Sequence, residues 1–269
     1  MLIVVKIGGR IINEIIPDAI ISDIANLASS HKLVLIHGGG IIVTDIATKL
    51  GIPQKFVVSP KGFRSRYTDE ETVKIYTMVM VGKLNTQIVA ALESHGIPAV
   101  GLSGFDGLLI KAYRKKRLII LDERGRRRII DGGYTGKISK INTNLLHILL
   151  NNGFVPVVAP VASSKEFKYL NVDGDRCAAY IAGFLKADKL ILLTDVDGIV
   201  LNNKIISNLT MSNAKELLSK IGPGMSTKIF ASIEALKMGV QEVIISSGFI
   251  EKPIITAIDH KHGTVIRSE

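Results

Sequence analysis

Two lysines stand at positions where a folded chain must either bury a charge or meet it with an anion. Lys6 lies in an apolar, strand-like run directly before Gly8-Gly9, and Lys228 follows a glycine-containing stretch at the expected start of a helix. Burying an ammonium group is costly without a partner, and a cation at a helix start opposes the helix dipole. One such lysine alone is commonly a side chain that reaches solvent from a strand end. Two of them indicate a negatively charged ligand held between them.

Two glycine turns follow the first two predicted strands, at Gly8-Gly9 and at Gly38-Gly39-Gly40. At the carboxyl ends of parallel strands, backbone N–H groups and helix N-termini face a crevice and can hold phosphate oxygens. Neither of the standard phosphate-binding patterns, G-x-x-x-x-G-K-S/T or G-x-G-x-x-G, occurs in the chain. The turns alone are therefore weak evidence for phosphate binding, and they gain weight only beside the lysines.

Asn171, Asp173 and Asp175 alternate along the chain just before an alanine-rich stretch that is expected to be helical. In an extended segment alternate side chains point to one side, and Asp175 would fall in the first turn of the helix. Helix capping explains one of these three residues but not all of them. The spacing favours a polar site at this strand-to-helix junction.

Strand-length apolar runs, such as residues 33–36 and 190–193, alternate with helix-length segments of about 10–15 residues. This alternation predicts an α/β fold with a largely parallel sheet covered on both faces. One helix is predicted from a cap near Thr68 to the region of His95, with a break near Gly82. Another is predicted to begin near Lys140 and to lead into a strand at 155–158. With 269 residues, 47% of them hydrophobic, the chain can bury a sizeable core.

Basic residues are concentrated in one segment. The chain carries a formal net charge of +10, and residues 111–128 hold nine basic and two acidic residues, a net charge of +7. The basic residues are Lys111, Arg114, Lys115, Lys116, Arg117, Arg124, Arg126, Arg127 and Arg128. The pattern of apolar runs around a turn predicts a basic β-hairpin near residues 107–130. Such a hairpin is either a solvated edge that discourages strand pairing or a docking face for an acidic partner.

Composition argues against several classes of protein. The sequence shows no basic leader with a long apolar stretch, and asparagines and a proline interrupt the longest uncharged stretch, so neither a signal peptide nor a membrane span is expected. Cys177 is the only cysteine, which excludes an internal disulfide and predicts a small core residue on a helix. The charge could suit a nucleic-acid binder, but no binding motif occurs and 5% aromatic residues leave little for base stacking. The expectation is a soluble, cytoplasmic protein.

A series of short motifs runs through the chain. They are Lys6-Ile7-Gly8-Gly9, His37-Gly38-Gly39-Gly40, Arg66-Tyr67-Thr68-Asp69, Gly82-Lys83-Leu84-Asn85, Asn171-Val172-Asp173-Gly174-Asp175, Thr194-Asp195-Val196-Asp197-Gly198-Ile199, Gly224-Met225 with Lys228, and Gly263-Thr264-Val265-Ile266. Together and in this order they resemble the amino acid kinase family and, within it, the N-acetylglutamate kinases. The resemblance covers essentially the whole chain.

The resemblance implies a three-layer αβα sandwich with a mainly parallel central sheet, the amino acid kinase or carbamate kinase-like fold. It also implies an acceptor lobe at residues 1–165 and an ATP-binding lobe at residues 166–269, within one continuous domain. In that family ATP, with Mg²⁺, gives its γ-phosphoryl group to a carboxylate and forms an acyl phosphate. An ionised carboxylate needs no general base, so positioning and charge neutralisation must supply most of the catalysis.

The resemblance also implies a role for each candidate residue. Lys6 and Lys228 would stabilise the transition state, and Asp175 would orient these two lysines. The other roles fall to Gly39 and Gly40 as backbone donors to the substrate or the phosphoryl group, to Asn171 as an acceptor contact, and to Gly8, Gly9 and Asp195 in the nucleotide site. No residue of the chain is expected to be a dedicated metal ligand.

Three departures from the N-acetylglutamate kinases point to another acceptor. Around the substrate arginine the chain reads GFRSRYTD, so that Arg64 or Arg66 aligns, and both are kept as carboxylate ligands because a guanidinium fork suits a carboxylate. Lys137 stands where an acidic residue is usual, and the basic segment lies just before it. These features resemble the branch that acts on glutamate or 2-aminoadipate attached to the C-terminal glutamate of a small acidic carrier protein, in lysine or arginine biosynthesis. A basic rim that includes Lys137 would steer such a partner to the site.

Several alternatives stay open at this point. The nearest is an N-acetylglutamate kinase that acts on the free compound, whereas kinases of aspartate, uridylate or carbamate fit the Arg66 and Asn171 segments less well. An inactive scaffold is disfavoured by the presence of both lysines with Asp175. Glutamate and 2-aminoadipate differ by one methylene, worth only about 1–3 kcal/mol, so either or both can be the acceptor. The resemblance further suggests a homodimer.

Overall fold

One eight-stranded sheet runs through the whole molecule. The computed structural model describes residues 1–12 and 15–269. In spatial order the strands of the sheet are β16 (Asn208–Thr210), β18 (Thr264–Arg267), β17 (Glu242–Ser247), β13 (Lys189–Thr194), β1 (Leu2–Ile7), β2 (Lys32–His37), β10 (Val155–Val158) and β5 (Ala99–Leu102). All neighbours are parallel except β17 and β18. The sheet therefore has most of its strand carboxyl ends at one edge.

Strand β1 lies near the middle of this sheet because its sequence is apolar on both faces, as a doubly covered strand requires. Ile3 and Val5 pack into the core on one face, and Val4 packs into the core on the other. Lys6 is two residues beyond Val4, so the alternation of a strand places its side chain on the Val4 face. The unusual residue of the strand thus points toward one particular helix layer.

Nine α-helices cover the two faces. They are α1 (Asp18–Ala28), α2 (Gly40–Lys49), α3 (Glu70–Thr77), α4 (Thr86–Glu93), α5 (Thr143–Asn151), α6 (Gly174–Leu185), α7 (Met211–Leu217), α8 (Met225–Lys237) and α9 (Pro253–Ile258), as found in residues 1–12 and 15–269. Helices α1–α4 and α9 contribute to one core and α5–α8 to the other. The predicted αβα sandwich with a mainly parallel sheet is confirmed.

Smaller sheets line the edge where the strands end. Strands β3 (Lys55–Val58) and β4 (Arg64–Tyr67) form one hairpin, and β7 (Arg117–Leu121) and β8 (Arg127–Asp131) form another. The remaining strands are β6 (Ile110–Arg114), β9 (Gly136–Ile141), β11 (Val161–Ser163) and β12 (Tyr169–Asn171) in one sheet, and β14 (Val200–Leu201) with β15 (Lys204–Ile205) in another. These additions stand around the site described below.

The two ends of the segment that carries the basic residues lie side by side. The backbone N–H of Asn142 donates to the carbonyl of Leu109 over 2.9 Å. The predicted basic hairpin is present but narrower than expected, spanning residues 117–131, because β6 ends at Arg114 and a turn follows. Lys111 and Arg114 consequently lie on β6, in the neighbouring sheet.

The start of helix α5 also differs from the prediction. The sequence predicted its start near Lys140, but β9 continues to Ile141. Asn142 then caps the helix, its side chain accepting from the backbone N–H of Asn144. The alternating residues of β9 pair with β6, and this tertiary pairing extends the strand into the range assigned to the helix.

The long helix that follows β4 is continuous from Glu70 to Glu93. Asp69 caps it, and a π-helical segment, Met78–Asn85, lies where the sequence predicted a break at Gly82. By length and composition this helix could span a membrane, and 44% of its most apolar window is buried inside the molecule. The absence of a membrane span stays a prediction.

The two predicted lobes share the central sheet. Four of its strands (β1, β2, β5 and β10) come before residue 165 in the chain and four (β13, β16, β17 and β18) come after it. The boundary at that residue stays a prediction. Cys177 is fully buried on α6, as expected of a small core residue. It lies in the helix layer that Lys6 faces.

Candidate active site

Two adjoining cavities open at the carboxyl edge of the central sheet. The first has a volume of about 380 Å³ and the second about 500 Å³, and they share Lys6 and Gly9 in their walls. The candidate residues Lys6, Gly9, Gly39, Gly40, Arg64, Arg66, Asn171 and Asp175 line the first cavity, and Lys6, Gly8, Gly9, Asp195 and Lys228 line the second. The structure therefore brings all eleven candidate residues to one continuous site.

A buried carboxylate joins the two lysines. The Nζ of Lys6 lies 2.8 Å from Oδ1 of Asp175, and the Nζ of Lys228 donates to Oδ2 of the same residue over 3.0 Å. The three side chains are 7–13% exposed. Two cations on one carboxylate leave the group with a net positive charge that faces both cavities.

The electrostatics of the group follow from burial and mutual attraction. Burial acts to raise the pKa of Asp175, but the two ammonium groups outweigh it and hold that pKa well below its usual value. Burial lowers the pKa of Lys6, with Lys228 adding to the effect and Asp175 opposing it. Burial acts to lower the pKa of Lys228, but Asp175, with smaller contributions from Asp173 and Asp195, outweighs it, and that pKa is raised. An arriving anion would stabilise both cations.

Three different elements position these side chains. Lys6 comes from the end of β1, Asp175 from the first turn of α6 and Lys228 from the first turn of α8. Asp173 caps α6 by accepting from the backbone N–H of Arg176 over 2.9 Å. The cap accounts for Asp173, which leaves Asp175 free to meet the lysines, as the alternating spacing indicated.

The two glycine turns touch each other beneath the cavities. A side-chain carbon on Gly9 would lie 2.7 Å from the backbone nitrogen of Gly39, and one on Gly38 would lie 2.5 Å from that of Gly9. No larger residue fits at Gly9 or Gly38 without moving a backbone. This close approach gathers several backbone N–H groups beside Lys6, and such a cluster suits an anion.

The two candidate arginines differ in how much of each guanidinium is already used. Arg66 is 9% exposed and donates to the carbonyl of Gly40 over 2.6 Å, to Oγ1 of Thr44 over 2.9 Å and to Gln54. Arg64 is exposed and lies 4.3 Å above the ring of Phe56. Arg66 therefore braces the start of α2, and Arg64 keeps more of its donors for a ligand.

The second cavity has its own ion pair. Nη1 of Arg10 donates to Oδ2 of Asp195 over 2.6 Å, and this hydrogen bond lowers the pKa of that carboxyl. Within residues 1–12 and 15–269, no cluster of three His, Cys, Asp or Glu side chains is arranged to hold a metal ion.

Sequence reasoning did not assign several residues of these walls to the site itself. Arg10 follows the first glycine turn, and its pairing with Asp195, 185 positions away, is visible only in the fold. Lys115 lines the first cavity together with Arg176, whose guanidinium is held by Glu234 over 2.6 and 2.7 Å. The only sequence signal for Lys115 was its membership of the basic segment.

Comparison with known proteins places this geometry in context. A family model described as "Amino acid kinase family" matches residues 1–247. A LysW-aminoadipate/LysW-glutamate kinase from Sulfolobus acidocaldarius is 47% identical over 266 residues, covering 98% of this chain and 100% of that protein. Family and relative both match along nearly the whole length of the sequence.

Solved structures match as well. The N-acetylglutamate synthase of Neisseria gonorrhoeae, complexed with coenzyme A and N-acetyl-glutamate, superposes with a TM-score of 0.82 at 25% identity, covering all of this chain and 59% of that one. The carbamate kinase of Giardia lamblia bound to AMP-PNP superposes with a TM-score of 0.64 at 16% identity, covering 99% of this chain and 98% of that one. The second likeness is one of fold alone.

Proposed function

The chain belongs to the amino acid kinase family, and from that membership we propose that it phosphorylates the side-chain carboxylate of a carrier-linked amino acid. It is an ATP-dependent phosphotransferase. The acceptor is 2-aminoadipate, glutamate or both, attached to a small acidic carrier protein such as the LysW in the name of the Sulfolobus relative. The product is an acyl phosphate in lysine or arginine biosynthesis.

The observation that carries the proposal is the meeting of Lys6 and Lys228 at Asp175, between two cavities. The acceptor carboxylate in the first cavity and the triphosphate in the second repel each other. In this proposal Lys6, which lines both cavities, contacts the transferring phosphoryl group, and Lys228, in the wall of the second cavity, contacts the phosphates that remain on the nucleotide. Catalysis then rests on position and charge, because the attacking carboxylate carries no proton to remove.

On the acceptor side, backbone and side-chain donors surround the carboxylates of the amino acid. The N–H groups of Gly39 and Gly40 lie at the start of α2, where the helix dipole also favours an anion. Asn171 and Arg64 stand across the cavity, with Arg66 behind them as the brace of the helix start. We assign the fixed carboxylate of the substrate to Arg64 and Asn171, with Arg66 holding Gly40 in place.

On the nucleotide side, Gly8, Gly9 and Asp195 line the second cavity beside Lys228. The described residues fit a Mg²⁺ ion that arrives with the nucleotide, since magnesium is commonly held by phosphate oxygens and at most one or two carboxylates. Such an ion supplies charge neutralisation on the phosphates. Arg10 and Asp195 close the outer wall of this cavity by their ion pair.

The basic hairpin and its neighbours form the proposed docking face of the carrier. Among the described residues, six of the nine basic residues in 111–128 have no carboxylate within 4 Å, whereas Arg114 pairs with Asp131, and Arg126 and Arg128 pair with Asp122. The hairpin also exposes Ile119 and Ile129, which are 53% and 65% exposed. Unpaired cations beside exposed apolar side chains suit an acidic protein surface.

A third cavity of about 290 Å³ gives the carrier a path to the acceptor site. It shares Arg64, Lys115, Leu118 and other wall residues with the first cavity and none with the second. Phe63 and Phe230 meet edge to face at its wall, with ring centroids 5.7 Å apart. We propose that the C-terminal residues of the carrier lie here, with methylene groups against the apolar wall and carboxylates near Lys115.

The first test compares acceptors. Purified protein is given ATP with carrier-linked 2-aminoadipate, carrier-linked glutamate or free N-acetylglutamate, and the acyl phosphate is trapped with hydroxylamine. We expect efficient turnover of at least one carrier-linked compound, with kcat/KM falling steeply as salt is added, and poor use of the free compound. Efficient, salt-independent use of N-acetylglutamate would instead identify an N-acetylglutamate kinase.

The second test addresses the docking face. Reversing two unpaired charges, Arg124→Glu with Arg127→Glu, is expected to raise KM for the carrier-linked acceptor by about tenfold or more and to leave kcat nearly unchanged, because rim charges act on association. The matched control, Lys215→Glu with Lys237→Glu, makes the same change in net charge on exposed helix positions elsewhere. Equal effects of the two double variants would reject a specific docking face. A homodimer and a cytoplasmic location stay predictions.

A further inference from the structure

Two residues of the chain's motifs lie together in the core and have no role in the mechanism above. His37 ends β2 directly before the second glycine turn, and Asn85 ends the π-helical segment. His37 is fully buried and Asn85 is 3% exposed. Their side chains are 48 positions apart in sequence, yet they contact each other directly behind Gly38.

The contacts of the imidazole fix where its proton is. Nδ1 of His37 lies 3.0 Å from the carbonyl oxygen of Gly38, which can only accept a hydrogen bond, so Nδ1 carries the hydrogen. Nε2 lies 3.2 Å from Nδ2 of Asn85, which can only donate, so Nε2 accepts. The nitrogen end of the amide is itself identified by its second hydrogen bond, to the carbonyl of Val157 over 2.9 Å.

A positive charge on this imidazole is disfavoured. Burial lowers the pKa of His37 to about 4; the hydrogen bond to the carbonyl of Gly38 acts in the opposite direction, and Lys6 adds a smaller lowering. A proton on Nε2 would also face the N–H of Asn85 rather than an acceptor. The histidine is therefore held neutral, in one tautomer and one ring orientation.

The hydrogen bond from Nδ1 sets the direction of the peptide between Gly38 and Gly39. A trans peptide is planar, with its C=O and N–H on opposite sides, so a carbonyl turned to the imidazole sends the N–H of Gly39 away from it. That N–H belongs to the cavity wall beside Lys6, and no acceptor for it occurs within residues 1–12 and 15–269. It is a donor left for a ligand.

The π-helical segment completes the support from the other side. A side-chain carbon on Gly39 would collide with Leu84 and lie 2.9 Å from the sulfur of Met80. The same segment therefore presses on Gly39 and delivers Asn85 to His37. Wide π-helical turns are frequent at functional sites. Here one such segment packs Leu84 against Gly39 and brings Asn85 to His37, the residue before the glycine turn.

We propose that His37, oriented by Asn85, is a positioning residue for phosphoryl transfer. Its neutral imidazole holds the Gly38–Gly39 peptide so that the N–H of Gly39 donates to an oxygen of the transferring phosphoryl group or of the acceptor carboxylate. This inference rests on the proposed kinase function. It adds that His37 and Asn85 together set the direction of the Gly39 N–H. His37 itself does not touch substrate.

Substitutions that keep or remove the Nδ1 donor test this role. His37→Asn can keep a donor near the Nδ1 position, whereas His37→Leu has none. We expect His37→Leu to lower kcat by about 10- to 100-fold with KM for ATP and acceptor changed by less than about threefold, since a misaimed donor is lost mainly in the transition state. His37→Asn is expected to recover much of that loss. Asn85→Leu should resemble His37→Leu in direction.

A control separates positioning from stability. Asp23 is buried and accepts from the backbone N–H groups of Ile254 and Ile255, and none of the three lines either cavity. Asp23→Leu should therefore lower the melting temperature without changing kcat of the folded enzyme. If His37→Leu lowers only the melting temperature, or if His37→Asn is no better than His37→Leu, the positioning role is wrong.

A measurement on the wild-type protein tests the inference independently of the kinetics. In ¹⁵N-histidine NMR of the wild-type protein, the His37 signals, identified among six histidines by their absence in His37→Asn, should show a neutral Nδ1–H tautomer from pH 8 down to pH 5. An Nε2–H tautomer or an imidazolium at pH 7 would overturn the inference. Failure of the wild-type enzyme to phosphorylate any carboxylate would overturn the proposed function while leaving the tautomer result to stand.

Discussion

At the scale of single residues, the site depends on charges that are largely removed from solvent. Lys6 and Lys228 share one carboxylate, so the group is one negative charge short of neutrality until an anion binds. A buried cation that is only partly compensated destabilises the free protein and is stabilised by its ligand. The same imbalance that costs stability in the empty site favours phosphate binding.

Removal of the Lys6 charge is the most direct residue-scale prediction. Lys6→Met is expected to lower kcat by about 10²–10³, the effect of losing one preorganised donor to a developing anion, as measured by steady-state kinetics with the preferred acceptor. The control is Lys32→Met, which changes an exposed lysine at the opposite end of the neighbouring strand β2 and should leave kcat unchanged. A Lys6→Met enzyme with near-normal turnover would contradict the mechanism.

The sequence was informative about residues whose chemistry does not suit their surroundings. A lysine in an apolar strand and acids ahead of an apolar helix stand out without any structure, and together with the family's motifs they gave all eleven candidate residues that line the cavities. The partnership of His37 with Asn85 could not be read in the same way. It depends on how a π-helical segment packs on a strand end, and each residue alone resembles an ordinary buried polar group.

At the scale of elements, the long helix from Glu70 to Glu93 shows a conformation that sequence periodicity does not describe. The sequence predicted a break at Gly82, but the chain continues through it with wider turns. Likewise, the sequence predicted one hairpin for the basic segment, whereas the structure has β6 in a neighbouring sheet and the hairpin in β7 and β8 alone. Which strand pairs with which sheet is decided by tertiary contacts, so the hairpin was predicted and its bounds were not.

Alanine substitution at two glycines is expected to change the free energy of unfolding in opposite directions. Gly82 has open space where a side chain would be, and Gly82→Ala should stabilise the protein by about 0.5–1 kcal/mol, because alanine loses less backbone entropy in a helix. Gly101 on β5 is the matched contrast, since a side-chain carbon there would overlap Oδ1 of Asn85. Gly101→Ala should destabilise the protein and lower kcat. Urea unfolding and kinetics measure both, and the same sign of stability change in the two variants would refute the packing argument.

At the scale of the whole molecule, acid stability depends on a cluster far from the site. Glu242 at the start of β17 accepts from Lys189, His260 and Arg267. Burial acts to raise the pKa of Glu242, but these donors outweigh it and lower the pKa from 4.5 to about 2. The cluster joins β13, β17 and β18, so it ties three strands of the sheet together.

The sign of its pH dependence follows from this shift. A carboxyl whose pKa is lower in the folded than in the unfolded state stabilises the fold above the unfolded pKa of about 4.5 and loses that contribution as pH falls toward about 2. We expect Glu242→Gln to be less stable than wild type at pH 7, with the difference shrinking between pH 5 and pH 3 in urea unfolding curves. A difference that stays constant over this range would show that Glu242 acts by packing alone.

The closed base of the segment between Leu109 and Asn142 has a consequence for how such kinases change their partners. The ends of this segment meet at the hydrogen bond between Asn142 and Leu109, and β6 and β9 belong to the core, but β7 and β8 pair only with each other. The length and charge of that outer hairpin can therefore vary while the phosphate-handling strands keep their register. It can thus be exchanged as a cassette. Transplanting residues 117–131, the outer hairpin alone, into a kinase that uses a free amino acid is a route to a chimera with a new recognition surface and unaltered lysine-bearing elements.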